Sequence, residues 1–186
     1  MIILSLKKII ESNDEVVLYD EIISSFCCSK NLDVENFLKQ KAINFEKSNK
    51  TRTFLVFDEV ENLCAYFSLA VKIFELPLST SKTLRKKVNG LSSNDSSGNP
   101  ISSVPAYLIG QIAKNDVFSS KISGSDLLSA ACKFIISAQN YVAGRVIMLE
   151  CADTHKLREF YMANGFSLLE ESTNPNNLLT YFKIIK

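Results

Sequence analysis

The sequence predicts a mixed α/β fold organised as one domain over residues 1–186, and three observations carry that prediction. Apolar runs of strand length recur at 53–57, 63–71, 104–114 and 146–149. Between them lie segments whose apolar residues follow helical spacing, over 32–45 and from Gly124 onward. The chain closes with two strand-like runs, 166–170 and 178–185, around the turn-rich loop ESTNPNN, which predicts a C-terminal β-hairpin. Helices between extended segments and a terminal hairpin imply a mixed central sheet flanked by helices. A chain of 186 residues buries roughly two-thirds of its unfolded surface, enough for one core, and no repeat or second core is visible.

Composition narrows the function. Lysine and arginine total 21 against 20 acidic residues, a net charge of +1. That balance provides neither a global basic field for nucleic acid nor the acidic excess of a disordered chain. The five cysteines, Cys27, Cys28, Cys64, Cys132 and Cys151, form no C-x-x-C pair, and His155 is the one histidine, so no metal site is expected. Three of the cysteines fall inside apolar segments, as small hydrophobes do, which predicts a reducing, cytoplasmic setting. The start MIILSLKKII lacks a signal peptide's basic region and cleavage site, and no apolar run approaches the ~20 residues of a membrane span. A soluble protein without a membrane partner is expected.

Taken in order, the runs at 1–10 and 15–19 have strand length. The segment SFCCSKNLDVENFLKQKAINFEKSNK changes period: Leu32, Phe37, Leu38, Ala42 and Phe45 share a face, with Glu35, Lys39, Lys41 and Glu46 outward and Asn31 or Ser29 as cap. TFLVF at 53–57 and LCAYFSLAV at 63–71 form an antiparallel pair across the charged turn 58–62. Residues 76–103 are a polar loop insertion in which Leu84, Val88 and Leu91 suggest a helical turn or two. Its basic knot, Lys82, Arg85, Lys86 and Lys87, is either an exposed charged turn or a place to meet phosphate. Pro105 sits near the start of the 104–114 strand, where a missing donor does little harm. From Gly124 a helix carries Leu127, Leu128, Ala131, Phe134, Ile135 and Ala138 on one stripe, opposite Ser129, Lys133 and Ser137.

The most informative stretch is CADTHKLREFYMANGF, residues 151–166. A buried strand at 146–149 precedes it. A short helix over 154–164 follows, with Leu157, Phe160, Tyr161 and Ala163 inward, and Gly165 ends that helix. Strand, short helix ending in Phe-Tyr, then Gly-Phe resembles the closing segment of the GNAT superfamily, the acetyl-CoA-dependent N-acetyltransferases. LIGQIAK at 108–114 resembles the family's central strand, and SSKISGS at 119–125 stands where its pyrophosphate loop, Q/R-x-x-G-x-G/A, precedes a leucine pair. Leu32-Asp33, Phe37-Leu38, the run Thr51 to Phe54 and AYFSLA look like the branch containing toxins of bacterial toxin–antitoxin pairs that acetylate aminoacyl-tRNA.

This resemblance implies a site. Acetyl-CoA would lie between the strand ending at Lys114 and the strand 146–149, with acetyl and pantetheine on the backbone of Ile112, Ala113 and Lys114. Its pyrophosphate would meet Ser119, Ser120, Lys121, Ile122, Ser123, Gly124 and Ser125. The preferred register puts Ser119 at the Gln/Arg position, Ile122 at the first glycine and Gly124 at the last. A second puts Lys121 first, Gly124 at the earlier glycine and Asp126 last. In either register the loop departs from the family: β-branched Ile122 resists the positive φ that glycine allows. Tyr161 matches the family's tyrosine near the CoA sulfur and would protonate the leaving thiolate. The bare residues also permit a core tyrosine there, and His155 reads either as an exposed helical histidine or as a base or acceptor-site group. No carboxylate stands out as general base: Glu75, Asp116 and Glu150 are candidates, and loss of the amine proton through water is the alternative. The function implied is acetyl transfer to the primary amine of a small molecule or peptide. The alternatives are an aminoacyl-tRNA-acetylating toxin and a degenerate domain that binds CoA or a protein without catalysis. Exposed hairpin edges allow a homodimer.

Overall fold

The computed structural model describes residues 1–12, 22–169 and 177–185. The run at 15–19 and most of the ESTNPNN loop lie outside them. Seven strands are described, β1 (Ile2–Ser5), β2 (Arg52–Phe57), β3 (Leu63–Glu75), β4 (Ser103–Lys114), β5 (Val146–Cys151), β6 (Ser167–Leu168) and β7 (Leu179–Ile184), in the order β1-β2-β3-β4-β5-β7-β6. The helices are α1 (Leu6–Glu11), α2 (Leu32–Asn36), α3 (Ala42–Lys47), α4 (Lys82–Asn89), α5 (Gly124–Gln139) and α6 (His155–Ala163). A mixed sheet with helices is the predicted α/β class. The chain folds into two compact units, 1–70 with 109–132 and 71–108 with 133–186.

In the first unit β1, β2 and β3 are antiparallel neighbours, with a bulge between Val56 and Phe57. The core gathers Leu6, Phe26, Phe37, Leu38, Leu55 and Tyr66, and the Tyr66 hydroxyl donates to the Val34 carbonyl at 2.5 Å. Two departures from the periodic reading stand out. The N-terminal apolar run is strand only to Ser5 and turns helical from Leu6, whose side chain is wholly buried. The 32–45 helix is interrupted by a π turn, Phe37–Lys41, between α2 and α3. One extra residue advances the helix by about 100°, so the face predicted from an unbroken 3.6-residue period does not persist. Glu46, expected outward, is 3% exposed; its carboxylate accepts from Arg52 Nη1 at 3.0 Å and from the Thr53 N–H at 2.7 Å. Asn31 is the cap, its side chain accepting from the Val34 N–H.

In the second unit β4 and β5 are parallel through Tyr107–Ile147 and Leu108–Met148, while β7 lies antiparallel to both β5 and β6. Its core is built from Phe74, Val88, Val104, Val146, Met148 and Phe182. Within 76–103 the predicted helical turns are α4, but Arg85 is not part of an exposed knot. It is 3% exposed, and its guanidinium donates to the carbonyls of Thr80 (3.0 Å), Pro77 (2.6 Å), Leu78 (3.1 Å) and Ile101. One buried cation thereby holds both ends of the insertion. Lys82, Lys86 and Lys87 stay exposed.

Two turns use the same chemistry. In 58–62 the Asp58 carboxylate accepts from the N–H groups of Val60 and Asn62, and in 95–99 Asp95 accepts from those of Ser97 and Asn99. The fourth residue is left-handed in both, Glu61 at φ +65° and Gly98 at φ +85°. An L side chain in that region costs about 1–2 kcal/mol. Glu61→Gly is therefore expected to raise stability by about 1 kcal/mol, read as a higher urea midpoint at unchanged slope.

Candidate active site

The loop assigned to pyrophosphate belongs to the first unit, and it springs from a strand end locked in three directions. Ala113 is buried in the core. Lys114, half-buried, turns its ammonium under the loop and donates to the carbonyls of Ser119 (2.7 Å) and Ile122 (3.1 Å). Asn115 is wholly buried: its side chain donates to the Leu63 carbonyl and accepts from the Cys27 and Val117 N–H groups, while its backbone N–H reaches the Cys64 carbonyl. Asp116 accepts from the Ser29 hydroxyl at 2.6 Å and its N–H at 2.8 Å. The Ser29 hydroxyl and N–H hold the Asp116 carboxyl below the usual range. Ile112, in the preceding turn of strand, is half-buried.

The loop then crosses to α5. Ser119, Ser120, Lys121, Ser123 and Ser125 are exposed, and Gly124 is half-buried. Ser123 caps α5 reciprocally with Asp126: its hydroxyl accepts from the Asp126 N–H at 3.0 Å and donates to the carboxylate at 2.6 Å. Neither Ile122 nor Gly124 has positive φ. Ile122 therefore adopts no left-handed conformation that its β-branch would resist. Its side chain is 7% exposed and, with Met1, Val56, Phe57, Cys64 and Lys121, lines a cavity of about 290 Å³. Ile122 anchors the loop to the interior of this unit.

Tyr161 belongs to the second unit. Thr154 caps α6, accepting from the Leu157 N–H, and Gly165 ends it at φ +79°. The Phe166 N–H reaches the Tyr161 carbonyl and the Gly165 N–H the Met162 carbonyl, both at 3.0 Å, which is a Schellman cap. Its usual apolar contact is present as Phe166 against Tyr161, ring centroids 6.1 Å apart. Tyr161 is 5% exposed and also meets Phe160 and Tyr181. Ala163, predicted inward, is exposed. Burial pushes the Tyr161 phenol well above its ordinary value, with smaller contributions from Cys151 and Tyr181. Burial also raises the Cys151 thiol, to about 11. The Tyr161 hydroxyl thus keeps its proton at neutral pH, and no bond to a described residue uses it.

The candidate bases fare unequally. Lys72 grips both oxygens of Glu150, at 2.7 and 2.8 Å, and Ser29 occupies Asp116. Glu75 is exposed. His155 is exposed, with Nδ1 3.4 Å from Glu159. Among the described residues no cluster of His, Cys, Asp or Glu could hold a metal ion, and no helix is long and apolar enough to cross a membrane. Sequence reasoning missed Asn115, Lys114 as a loop clamp and Tyr181; a polar Lys-Asn-Asp run ending an apolar strand was the available signal for the first two.

The order of strands and helices, the parallel β4–β5 pair and the terminal hairpin make up a GNAT-like fold. Among solved structures the chain is similar to AtaT complexed with acetyl-methionyl-tRNAfMet, at 20% identity and TM-score 0.67 over 89% of this chain and 88% of that one. It is likewise similar to a tyrosine-to-phenylalanine mutant of KacT (23%, TM-score 0.66, 87% and 86%) and to AtaTR bound with AcCoA (20%, TM-score 0.64, 89% and 89%). No family model matches the sequence, and no curated protein does.

Asp116 gives the acid limb of stability a definite sign. Its carboxyl titrates lower folded than unfolded, so its stabilisation is present above the unfolded value and lost as pH falls through the folded one. Asp116→Asn is expected to lower the urea midpoint near neutrality and to flatten its decline between about pH 5 and pH 2.

Proposed function

We propose that residues 1–186 work as one acetyl-CoA-dependent N-acetyltransferase domain, and that the acceptor is the α-amino group of an aminoacyl-tRNA. The likeness in fold to AtaT, solved with acetyl-methionyl-tRNAfMet, carries this reading. A buried, protonated Tyr161 supports it from the chain's own chemistry.

The residues present suit the cofactor. The opening N–H groups of α5 at Gly124 and Ser125 have no partner inside the helix, and the helix N-terminus favours an anion. Lys121 and the hydroxyls of Ser119, Ser120 and Ser125 are exposed beside them. Ser123 spends its hydroxyl on Asp126, which offsets part of that carboxylate's repulsion. In this reading those groups hold pyrophosphate, Lys114 keeps the loop's carbonyls turned inward, and the backbone at Ile112, Ala113 and Lys114 serves pantetheine and acetyl. The cofactor supplies an activated acetyl thioester. Tyr161 holds a proton at Oη for the departing sulfur, and burial keeps that proton in place at neutral pH.

Charge supports this acceptor. The chain as a whole is nearly neutral, but residues 71–108 and 133–186 carry eleven Lys and Arg against seven Asp and Glu. Lys82, Lys86 and Lys87 are exposed on α4, and Arg145 packs where a side chain at Gly90 would fall, 2.7 Å from its Cδ. Such a surface suits a phosphate backbone.

Two tests follow. Wild-type chain is expected to bind acetyl-CoA by calorimetry and to acetylate methionyl-tRNA; Tyr161→Phe should bind equally and transfer at least about 100-fold more slowly. Binding without transfer to any aminoacyl-tRNA would instead favour the non-catalytic CoA-binding reading. Replacing Lys82, Lys86 and Lys87 together by alanine is expected to weaken tRNA binding and to reduce its log–log salt slope by roughly two. An unchanged slope would place the tRNA elsewhere.

A further inference from the structure

Tyr181 is left unexplained by the catalytic reading. It lies on β7, opposite Leu149 of β5 and Leu168 of β6, and is 0% exposed. Its hydroxyl has no hydrogen-bond partner. A buried oxygen without a partner is destabilising, and phenylalanine would fill the same space without that penalty. Thr51, Thr53 and Ser68 also have unpaired buried hydroxyls, so lack of a partner alone assigns no role. The company of Tyr181 is different. Its ring lies 5.3 Å from that of Tyr161 at a 39° tilt, and both phenols feel the Cys151 thiol on β5. The other charged groups acting on Tyr181 are Arg158 and Asp153, paired with each other through two 2.6 Å bonds. That neutralised pair leaves the Tyr181 phenol as an uncommitted hydroxyl donor beside Tyr161.

We infer that Tyr181 is a positioning residue whose hydroxyl stabilises the phenolate that Tyr161 becomes when it gives up its proton. This rests on Tyr161 being the proton donor. The amine nitrogen bonds to the acetyl carbon as the carbon–sulfur bond breaks. The sulfur leaves with the electron pair and takes the Tyr161 proton. Tyr181 then donates a hydrogen bond to the phenolate oxygen and keeps its own proton. Water accepts the proton lost by the amine nitrogen and returns one to Tyr161. An interaction absent at rest and formed as charge develops accelerates the step, because it favours the transition state over the ground state.

The test needs no cofactor. Tyr161 is replaced by 3,5-difluorotyrosine, whose phenol ionises at lower pH, and its absorbance is titrated in the free protein with and without Tyr181→Phe. Loss of a donor to the charged form should raise the ionisation of residue 161 by about one pH unit; an unchanged titration overturns the proposal. In the otherwise natural chain, Tyr181→Phe should keep or raise the melting temperature while slowing acetyl transfer about tenfold at unchanged acetyl-CoA affinity. A lower melting temperature with unchanged transfer would make Tyr181 a packing residue and overturn the assignment. A titration shift on Tyr181→Phe, alongside a natural chain that acetylates no amine, would remove the catalytic use of the pair while leaving the pair itself intact. That outcome overturns the catalytic role and separates its failure from absence of the phenol coupling.

Discussion

The character of Tyr161 follows from the way its helix ends. A nine-residue helix has little stability of its own. It is held by Thr154 at one end and at the other by the left-handed turn at Gly165, which returns the chain so that Phe166 packs on Tyr161. The aromatic pair, the glycine and the phenylalanine are thus one device: the cap that stops the helix also supplies a wall of the tyrosine's pocket. Burial then sets the chemistry, since a phenol removed from water resists ionisation. Helix geometry and proton affinity have a common origin here.

A second constraint governs the loop at 119–125. Successive residues of a strand point to opposite faces, and the end of β4 uses this alternation to fasten different segments. Ala113 and Asn115 face inward, toward the core and the start of β3, while Lys114 turns the other way beneath the loop. The loop therefore leaves from a fixed platform with two of its carbonyls already satisfied. Ile122 completes the arrangement from the far side by burying its side chain. A loop tied down by a lysine and an isoleucine has less need of glycine, because its backbone adopts no left-handed residue at Ile122 or Gly124.

Period and punctuation were the legible parts of the sequence. The apolar runs became β2 through β5, Gly124 opened a helix, and Gly165 ended one at positive φ. Tyr161 was readable as a site candidate because its neighbours formed a recognisable order. What the sequence concealed depended on partners distant along the chain. Nothing local distinguishes Arg85 from Lys82, Lys86 and Lys87, yet one is buried among four carbonyls and the others face solvent. Glu46 was misplaced because a π turn changed the helical phase upstream, and Asn115 finds its partners at Cys27 and Leu63. β3 also runs through Glu75, past the apolar stretch that ends at Val71.

Buried polar groups in this chain separate by whether the fold satisfies them. Arg85, Asn115 and Glu46 each meet several partners, and each joins segments far apart in sequence; their burial is accounted for by architecture. Thr53 and Ser68 lie directly opposite one another on β2 and β3, where short side chains serve a tightly paired ladder. Tyr181 fits neither case. It is large, its ring would pack equally well without the oxygen, and its unpaired hydroxyl lies in the same aromatic cluster as Tyr161. Residue type alone would have ranked Arg85 or Glu46 above Tyr181 as functional, since buried charges usually attract that reading. Counting satisfied bonds reverses the order: a charge surrounded by partners is explained by folding, whereas the Tyr181 hydroxyl, buried without one, is not.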